Sequence, residues 1–302
     1  MMNERTRELI KAFIPKFFRY HIKNFYRHCI SIKARKAFSR SALTPEWLSE
    51  EMIDILHNKY PYPPLISYQP EDLKRSAERR VRNIFHLLGA HAETCHRYLE
   101  IGCSEGTVCN TIRLRGKFAA GIDLRFGFKK NLNDHNHSFA QMDAARLGFA
   151  DGRFDCVFSL ASFEHFRDPK AVMDEAIRVV RKGGFIYFHF GPLYHSPYGL
   201  HAYRSITVPY CQCLFDKETI MNFSRRMNIK PPDYESLNQW TLQDFRQLWS
   251  AYESKVRRIR YYEYLNTDHI DLINRYPSCF KSKTDFFDNL VVPEIEILLQ
   301  RA

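Results

Sequence analysis

The sequence predicts an α/β fold: a doubly wound, mostly parallel sheet with an N-terminal helical extension and C-terminal helical lid insertions. Three observations predict it. An apolar run (Tyr98, Leu99, Ile101) ends on a small-residue turn framed by Gly102 and Gly106, and a helix-like segment follows. A strand feeding such a turn lets a ligand approach the backbone, because no Cβ stands in the way. A second apolar run ends at Gly121-Ile122-Asp123-Leu124, which puts a carboxylate about 20 residues past the turn, where doubly wound folds place an acid. Beyond these, short buried runs alternate with helical patterns as far as Phe190.

The 302 residues suffice for one α/β core with additions. Residues 1–42 read as a basic amphipathic helical extension, broken at Pro15. Ile10, Ile14, Phe18, Ile22, Phe25 and Cys29 recur at spacings of three and four, a helical stripe. The first 40 residues hold eleven Lys and Arg against two acids, so nearly all of the net charge of +11 lies in this appendage. Three readings follow: a helix capping the core, an interfacial helix on an anionic membrane, or a grip on nucleic acid.

Residues 43–91 form a helical lead-in, expected to lie over the ligand site. Thr44-Pro45 resembles a helix start, and Tyr60-Pro-Tyr-Pro-Pro64 marks a linker. Helix resumes over Glu71–Leu88, with Leu73, Ala77, Val81, Ile84 and Leu88 on one side. The main domain occupies 92–302. Cys156–Leu160 reads as a buried strand, a helix runs from Pro169 to Arg181, and Phe185–Phe190 is another buried strand. Phe215–Met227 looks helical, with Asp216 as its cap. The substrate loop and lid fall within 193–288, with 228–254 and 266–288 as insertions. Closing strands are placed near 255–264 and 290–299, Pro293 marking an edge or bulge in the latter.

The glycine turn departs from the dinucleotide pattern. The third glycine of G-x-G-x-x-G is missing, and Glu100 would repel a pyrophosphate, so a cationic ligand without phosphates suits it better. Further along come Asp143-Ala144 after a short strand, Phe149-Ala-Asp-Gly-Arg-Phe-Asp155, and Glu164-His-Phe-Arg-Asp-Pro169.

In order and spacing this series resembles the class I S-adenosylmethionine-dependent methyltransferases, in particular their type 11 small-molecule group, over roughly residues 96–192. Ser104 stands where many members carry a third glycine. The resemblance implies a Rossmann-like fold, S-adenosylmethionine as cofactor, and a transferase. Glu100 would accept from the amino group of the methionine moiety or orient a water there. Gly102, Cys103, Ser104 and Gly106 would bring backbone close to the ligand. Asp123 would accept the ribose hydroxyls beside Leu124, and Asp143 the adenine amine beside Ala144. Ser159 and Leu160 end a strand at the ligand-binding edge. Asp155, which follows a turn, reads as a structural acid.

For catalysis, His165 is a candidate base or a packing residue, and His195 and His201 are candidate bases in the loop after Phe190. Tyr194, Tyr198 and Tyr203 would wall an acceptor pocket. His189, His195 and His201 do not have a metal-ligand spacing, and no metal is expected. The reading is methyl transfer to a small-molecule or glycan-type acceptor, by O-methylation. The alternatives are an RNA methyltransferase gripping through its basic helix, against which stands the lack of an N-P-P-Y-type signature, or a cofactor-binding protein without turnover. No apolar run reaches the roughly 20 residues that span a bilayer. Lys and Arg interrupt the N-terminus, so no secretory signal is expected. Eight cysteines without metal-like spacing suit a reducing cytosol. A cytoplasmic protein is the expectation, with peripheral contact at the inner membrane surface through residues 1–40 as one reading of the basic segment.

Overall fold

The computed structural model describes residues 16–63, 67–125 and 138–302. The proposed break at Pro15 and the stripe positions Ile10 and Ile14 lie outside the described residues. Seven strands form one sheet: β1 (Arg97–Ile101), β2 (Phe118–Asp123), β3 (Phe139–Gln141), β4 (Phe154–Leu160), β5 (Val180–Phe190), β6 (Val256–Tyr264) and β7 (Glu294–Arg301). Their order is β3-β2-β1-β4-β5-β7-β6. β1 to β5 run parallel, and β7 is antiparallel to both β5 and β6. The order reverses between β1 and β4, so their carboxyl ends flank the switch point where ligands bind in open α/β sheets.

Alternation along the strands supplies two buried faces. Leu99, Ile101, Val157, Ile186, Phe188 and Ile297 pack beneath α5 (Pro169–Val179) and α7 (Leu242–Ala251). Tyr98, Cys156, Phe158, Tyr187 and Leu298 pack beneath α3 (Pro70–Leu88) and α4 (Thr107–Arg113). A separate hydrophobic cluster joins the end of α1 (Lys16–Arg40) and α2 (Glu50–Lys59) to the 200–223 region, α6 (Lys217–Arg226), α8 (Ile270–Arg275) and α9 (Pro277–Lys281). It forms a helical cap assembled from three distant stretches of chain.

Local chemistry explains the element ends. Asp168 caps α5 by accepting from the Ala171 amide at 3.0 Å, with Pro169 in its first turn. Asp216 does the same for α6, through the Thr219 amide at 2.8 Å. Thr241 and Asp244 form a reciprocal capping box that starts α7.

Three expectations need correction. Residues 242–251 are not part of a peripheral insertion: Leu242, Phe245, Leu248 and Trp249 belong to the main core against β5. The last strand starts at Glu294, and Asp288–Val291 is instead a helical turn buried in the cap. Thr44-Pro45 starts no helix; the chain there is irregular until Glu50. α3, within the expected lead-in, packs on a face of the sheet beside α4 through Ala77, Val81, Ile84 and Leu88, the buried side that the spacing predicts, with Leu73 half-exposed.

Asp155 ties the start of β4 to its neighbours. It accepts from the amides of His96 (2.9 Å) and Arg97 (2.8 Å) and from Arg181 Nε (2.6 Å). Burial alone would raise its pKa, but these donors outweigh burial and hold the carboxyl below its usual value. Its stabilisation is therefore present above the ordinary carboxylate range and lost as pH falls through the depressed folded-state value. Asp155→Asn should lower Tm at pH 7 by roughly 3–8 °C and flatten the acid limb of stability against pH; an unaltered acid limb in thermal melts from pH 7 to pH 2.5 would contradict the assignment.

Candidate functional site

The turn after β1 is sewn onto the end of β2. The Ile122 carbonyl accepts from the amides of both Gly102 (2.8 Å) and Cys103 (2.9 Å). The next amide, that of Ser104, donates to Asp123 Oδ2 at 2.9 Å, and Arg125 N donates to Oδ1 at 3.0 Å. Gly102 has φ +77°, and a Cβ there would lie 2.5 Å from Ser162 Oγ, so glycine is required by both backbone and neighbour. Ser162, which reaches the loop from beyond β4, donates to the Gly102 carbonyl at 3.2 Å. Gly106, the left-handed cap residue of α4, packs against the Phe139 ring.

Two acids stand on the rim. Asp123 is the last residue of β2, in register with Gln141 of β3. Asp143, two residues further, is exposed and accepts from the Ala145 amide at 2.9 Å. Leu124 is 67 % exposed beside Asp123, while Ala144 is buried behind Asp143. Each carboxylate oxygen keeps a lone pair beyond the amide it already accepts.

The other sequence-named residues divide. Glu100 lies beneath the loop, 2 % exposed, and accepts from the Cys109 thiol at 3.1 Å. Burial pushes its pKa up to about 8. Cys103 is buried with its side chain against Gly121. Ser159 is buried in β4 without a hydrogen-bond partner for its Oγ, and Leu160 is buried at the strand's end.

A short helical turn, Phe163–His165, follows β4. Phe163 anchors it in an aromatic box, its centroid 4.5 Å from Phe188, 5.1 Å from Phe190 and 5.7 Å from Trp249. Asn238 clamps the turn by donating to the carbonyls of Phe163 (2.9 Å) and Glu164 (3.0 Å). Glu164 is consequently buried. Desolvation raises its pKa to about 8, against the Gly191 amide that bonds its carboxylate; its Oε2 has no partner in the protein. His165 is exposed, and its Nδ1 donates to the Ser236 carbonyl at 2.7 Å. The loop after β5 folds back so that the His201 ring meets His165 edge-on, centroids 4.9 Å apart. His201 Nε2 donates to the Pro192 carbonyl at 3.0 Å. A carbonyl cannot donate, so these contacts fix both tautomers, leaving lone pairs on His165 Nε2 and His201 Nδ1.

His195 meets Tyr194 edge-on, ring centroids 5.3 Å apart. Its pKa is lowered by burial to about 4, and its Nδ1 has no partner. His189 instead faces Glu294 at 3.3 Å. Among the described residues, donor atoms of Glu164, His165 and His201 lie within 4.8 Å of one another, a donor set that could hold a divalent cation. The spacing of the three loop histidines gave no hint of this group, because its acid and one of its histidines lie before α5. Of the tyrosines, Tyr198 Oη shares a hydrogen bond with His269 Nε2 at 2.9 Å and lies edge-on to Tyr203, while Tyr194 packs on the cap. Ser162, Asn238 and Phe166, which also approaches Gly102, went unnoticed in the sequence.

Fold and rim together define an α/β domain with a glycine turn and two carboxylates at the switch point of its sheet. Residues 99–188 match the family model described as "Methyltransferase domain". Over 99 residues the chain is 29 % identical to a ubiquinone biosynthesis O-methyltransferase of Chromobacterium violaceum, covering 30 % of this chain and 43 % of that protein. It is 35 % identical over 101 residues to the chloroplastic tocopherol O-methyltransferase of Arabidopsis thaliana, covering 30 % and 28 %. It is 30 % identical over 115 residues to the 27-O-demethylrifamycin SV methyltransferase of Amycolatopsis mediterranei, covering 35 % and 42 %. The chain thus spans less than half the length of each of these relatives. A solved SAM-dependent methyltransferase from Archaeoglobus fulgidus aligns with a TM-score of 0.42 and 17 % identity, over 76 % of this chain and 94 % of that one.

Residues 99–188 are thus similar to the class I S-adenosylmethionine-dependent methyltransferases. The rim suits that cofactor. Two acceptor carboxylates on adjacent strand ends match its donors, a ribose diol and an exocyclic amine, and exposed Leu124 offers an apolar surface to the base. Asp123→Ala removes at least one charge-assisted acceptor, so affinity for S-adenosylmethionine should fall about 10–100-fold; titration calorimetry giving an unchanged Kd would contradict this.

Proposed function

We propose that the protein transfers the methyl group of S-adenosylmethionine to a hydroxyl oxygen of a small molecule, among which glycan-type acceptors are included. The observation that carries the reading is the rim: the glycine turn bonded to β2, with half-buried Asp123 and exposed Asp143 beside it. In this reading Asp123 accepts the ribose hydroxyls, Asp143 the adenine amine, and the Gly102–Ser104 backbone lies along the ligand. Glu100 acts from below, shaping α4 and the loop. Bound there, the cofactor supplies an electrophilic methyl on a cationic sulfur.

The chain's own task is chiefly to hold nucleophile and methyl in line. A hydroxyl must also lose its proton as its oxygen forms the new bond. His165 Nε2 is the proton acceptor in this proposal: its tautomer is set by the Ser236 carbonyl, and it lies beside the loop through Ser162. His201 is a positioning residue whose ring edge holds that of His165. His195, whose Nδ1 is buried without a partner, is assigned no proton transfer.

Labelled-methyl transfer into a panel of phenols, other hydroxylated small molecules, glycans, amines and RNA tests the reading. Label in the hydroxyl compounds supports it; label confined to amines or RNA, or none despite cofactor binding, overturns it. In the hydroxyl assay, His165→Asn should lower kcat by about 10²–10⁴-fold with cofactor affinity unchanged. Full kcat in that variant would reduce His165 to packing. A rate abolished by chelator and restored by a divalent cation would transfer proton activation to a cation held by Glu164, His165 and His201.

A further inference from the structure

The described part of the apolar stripe, Ile22, Phe25 and Cys29, does not face the protein. α1 is pinned through its other side. Ser31, Ala34 and Phe38 are buried, Phe38 meets Phe287 edge-on at 5.6 Å, and Arg35 bonds Asp288 at 2.8 Å while lying over the Phe287 ring. Arg27 donates to the Leu265 carbonyl. At about 100° per residue, the buried trio falls within an arc of roughly 60°. Diametrically opposite, within roughly 160°, lie Ile22, Phe25, Tyr26, Cys29, Ile30 and Ile32, together with Lys33 and Lys36. All eight are exposed, Phe25 by 72 %. Aromatic and β-branched side chains on a solvent face gain nothing from water, and here they are contiguous along the helix.

The charge pattern says what covers them. From Lys16 to Arg40 there are eight Lys and Arg and no acid, so an anionic partner is favoured along the whole helix. A nucleic acid would satisfy the lysines but leave the apolar side chains uncovered. A bilayer satisfies both, with isoleucine and phenylalanine entering the acyl boundary, tyrosine at the headgroups and lysines on anionic lipid. Among the described residues, no helix is long and apolar enough to cross a membrane, so the contact is parallel to the surface.

We propose that α1 docks the protein on an anionic lipid bilayer through the Ile22–Lys36 face, while its buried side keeps the helical cap assembled. This interaction is independent of which acceptor is methylated. The test is co-sedimentation of the full chain with phosphatidylcholine vesicles, with and without phosphatidylglycerol. The wild type should partition onto the anionic vesicles only, and more weakly as salt rises. Ile22→Ser/Phe25→Ser and, separately, Lys33→Glu/Lys36→Glu should each weaken partitioning by about tenfold or more, since both burial and charge contribute. These side chains lie on the face opposite the cap contacts, so melting temperature and cofactor affinity should be preserved; both are measured to exclude unfolding. No binding of the wild type to anionic vesicles overturns the proposal. So does full binding by the serine variant. Salt-sensitive binding to RNA that ignores the serine substitutions, without vesicle binding, would make α1 a nucleic-acid grip instead.

Discussion

One carbonyl and one carboxylate at the end of β2 hold the site together. Ile122 O takes two successive loop amides and Asp123 takes the third, so the turn after β1 has almost no freedom of its own. The amides of Gly102, Cys103 and Ser104 are spent on β2. Acceptor capacity remains on half-buried Asp123 and exposed Asp143. Acceptors at the rim favour a ligand rich in hydroxyl and amine hydrogens over one rich in phosphate oxygens. Gly102 belongs to the same constraint, since any side chain there would displace Ser162, the residue linking the cofactor loop to the turn that carries Glu164 and His165.

The acceptor side is built by packing at a distance. Phe163 sits among Phe188, Phe190 and Trp249, which fixes the turn bearing Glu164 and His165. Its position therefore depends on α7, a helix some 80 residues later in the chain. Glu164 is held in the interior with a raised pKa because burial outweighs the amide donors that reach it.

Much of this was legible in the sequence for local reasons. Strands buried on both faces are nearly continuous apolar runs, so β1, β2, β4 and β5 stood out, and Asp168-Pro169 and Asp216 announced helix starts. The misreadings have physical causes as well. Leu290 and Val291 are apolar enough for a strand, but an apolar run of that length does not distinguish strand from buried turn. α7 carried its own signals, the Thr241/Asp244 box and Leu242, Phe245, Leu248 and Trp249 at helical spacing; position in the chain suggested an insertion and obscured them. For α1 the apolar spacing indicated a helix, but over the described residues the buried side is made of Ser31, Ala34 and Phe38, while Ile22, Phe25 and Cys29 of the expected stripe are exposed. The meeting of His165 with His201 is tertiary, and nothing in the local sequence around either residue announces it.

A crystal structure with S-adenosylhomocysteine bound tests the central claim most directly. The account predicts both ribose hydroxyls within about 3 Å of the Asp123 carboxylate and the adenine amine at Asp143. A nucleoside lying elsewhere, with Asp123 still occupied only by the Ser104 and Arg125 amides, would contradict it.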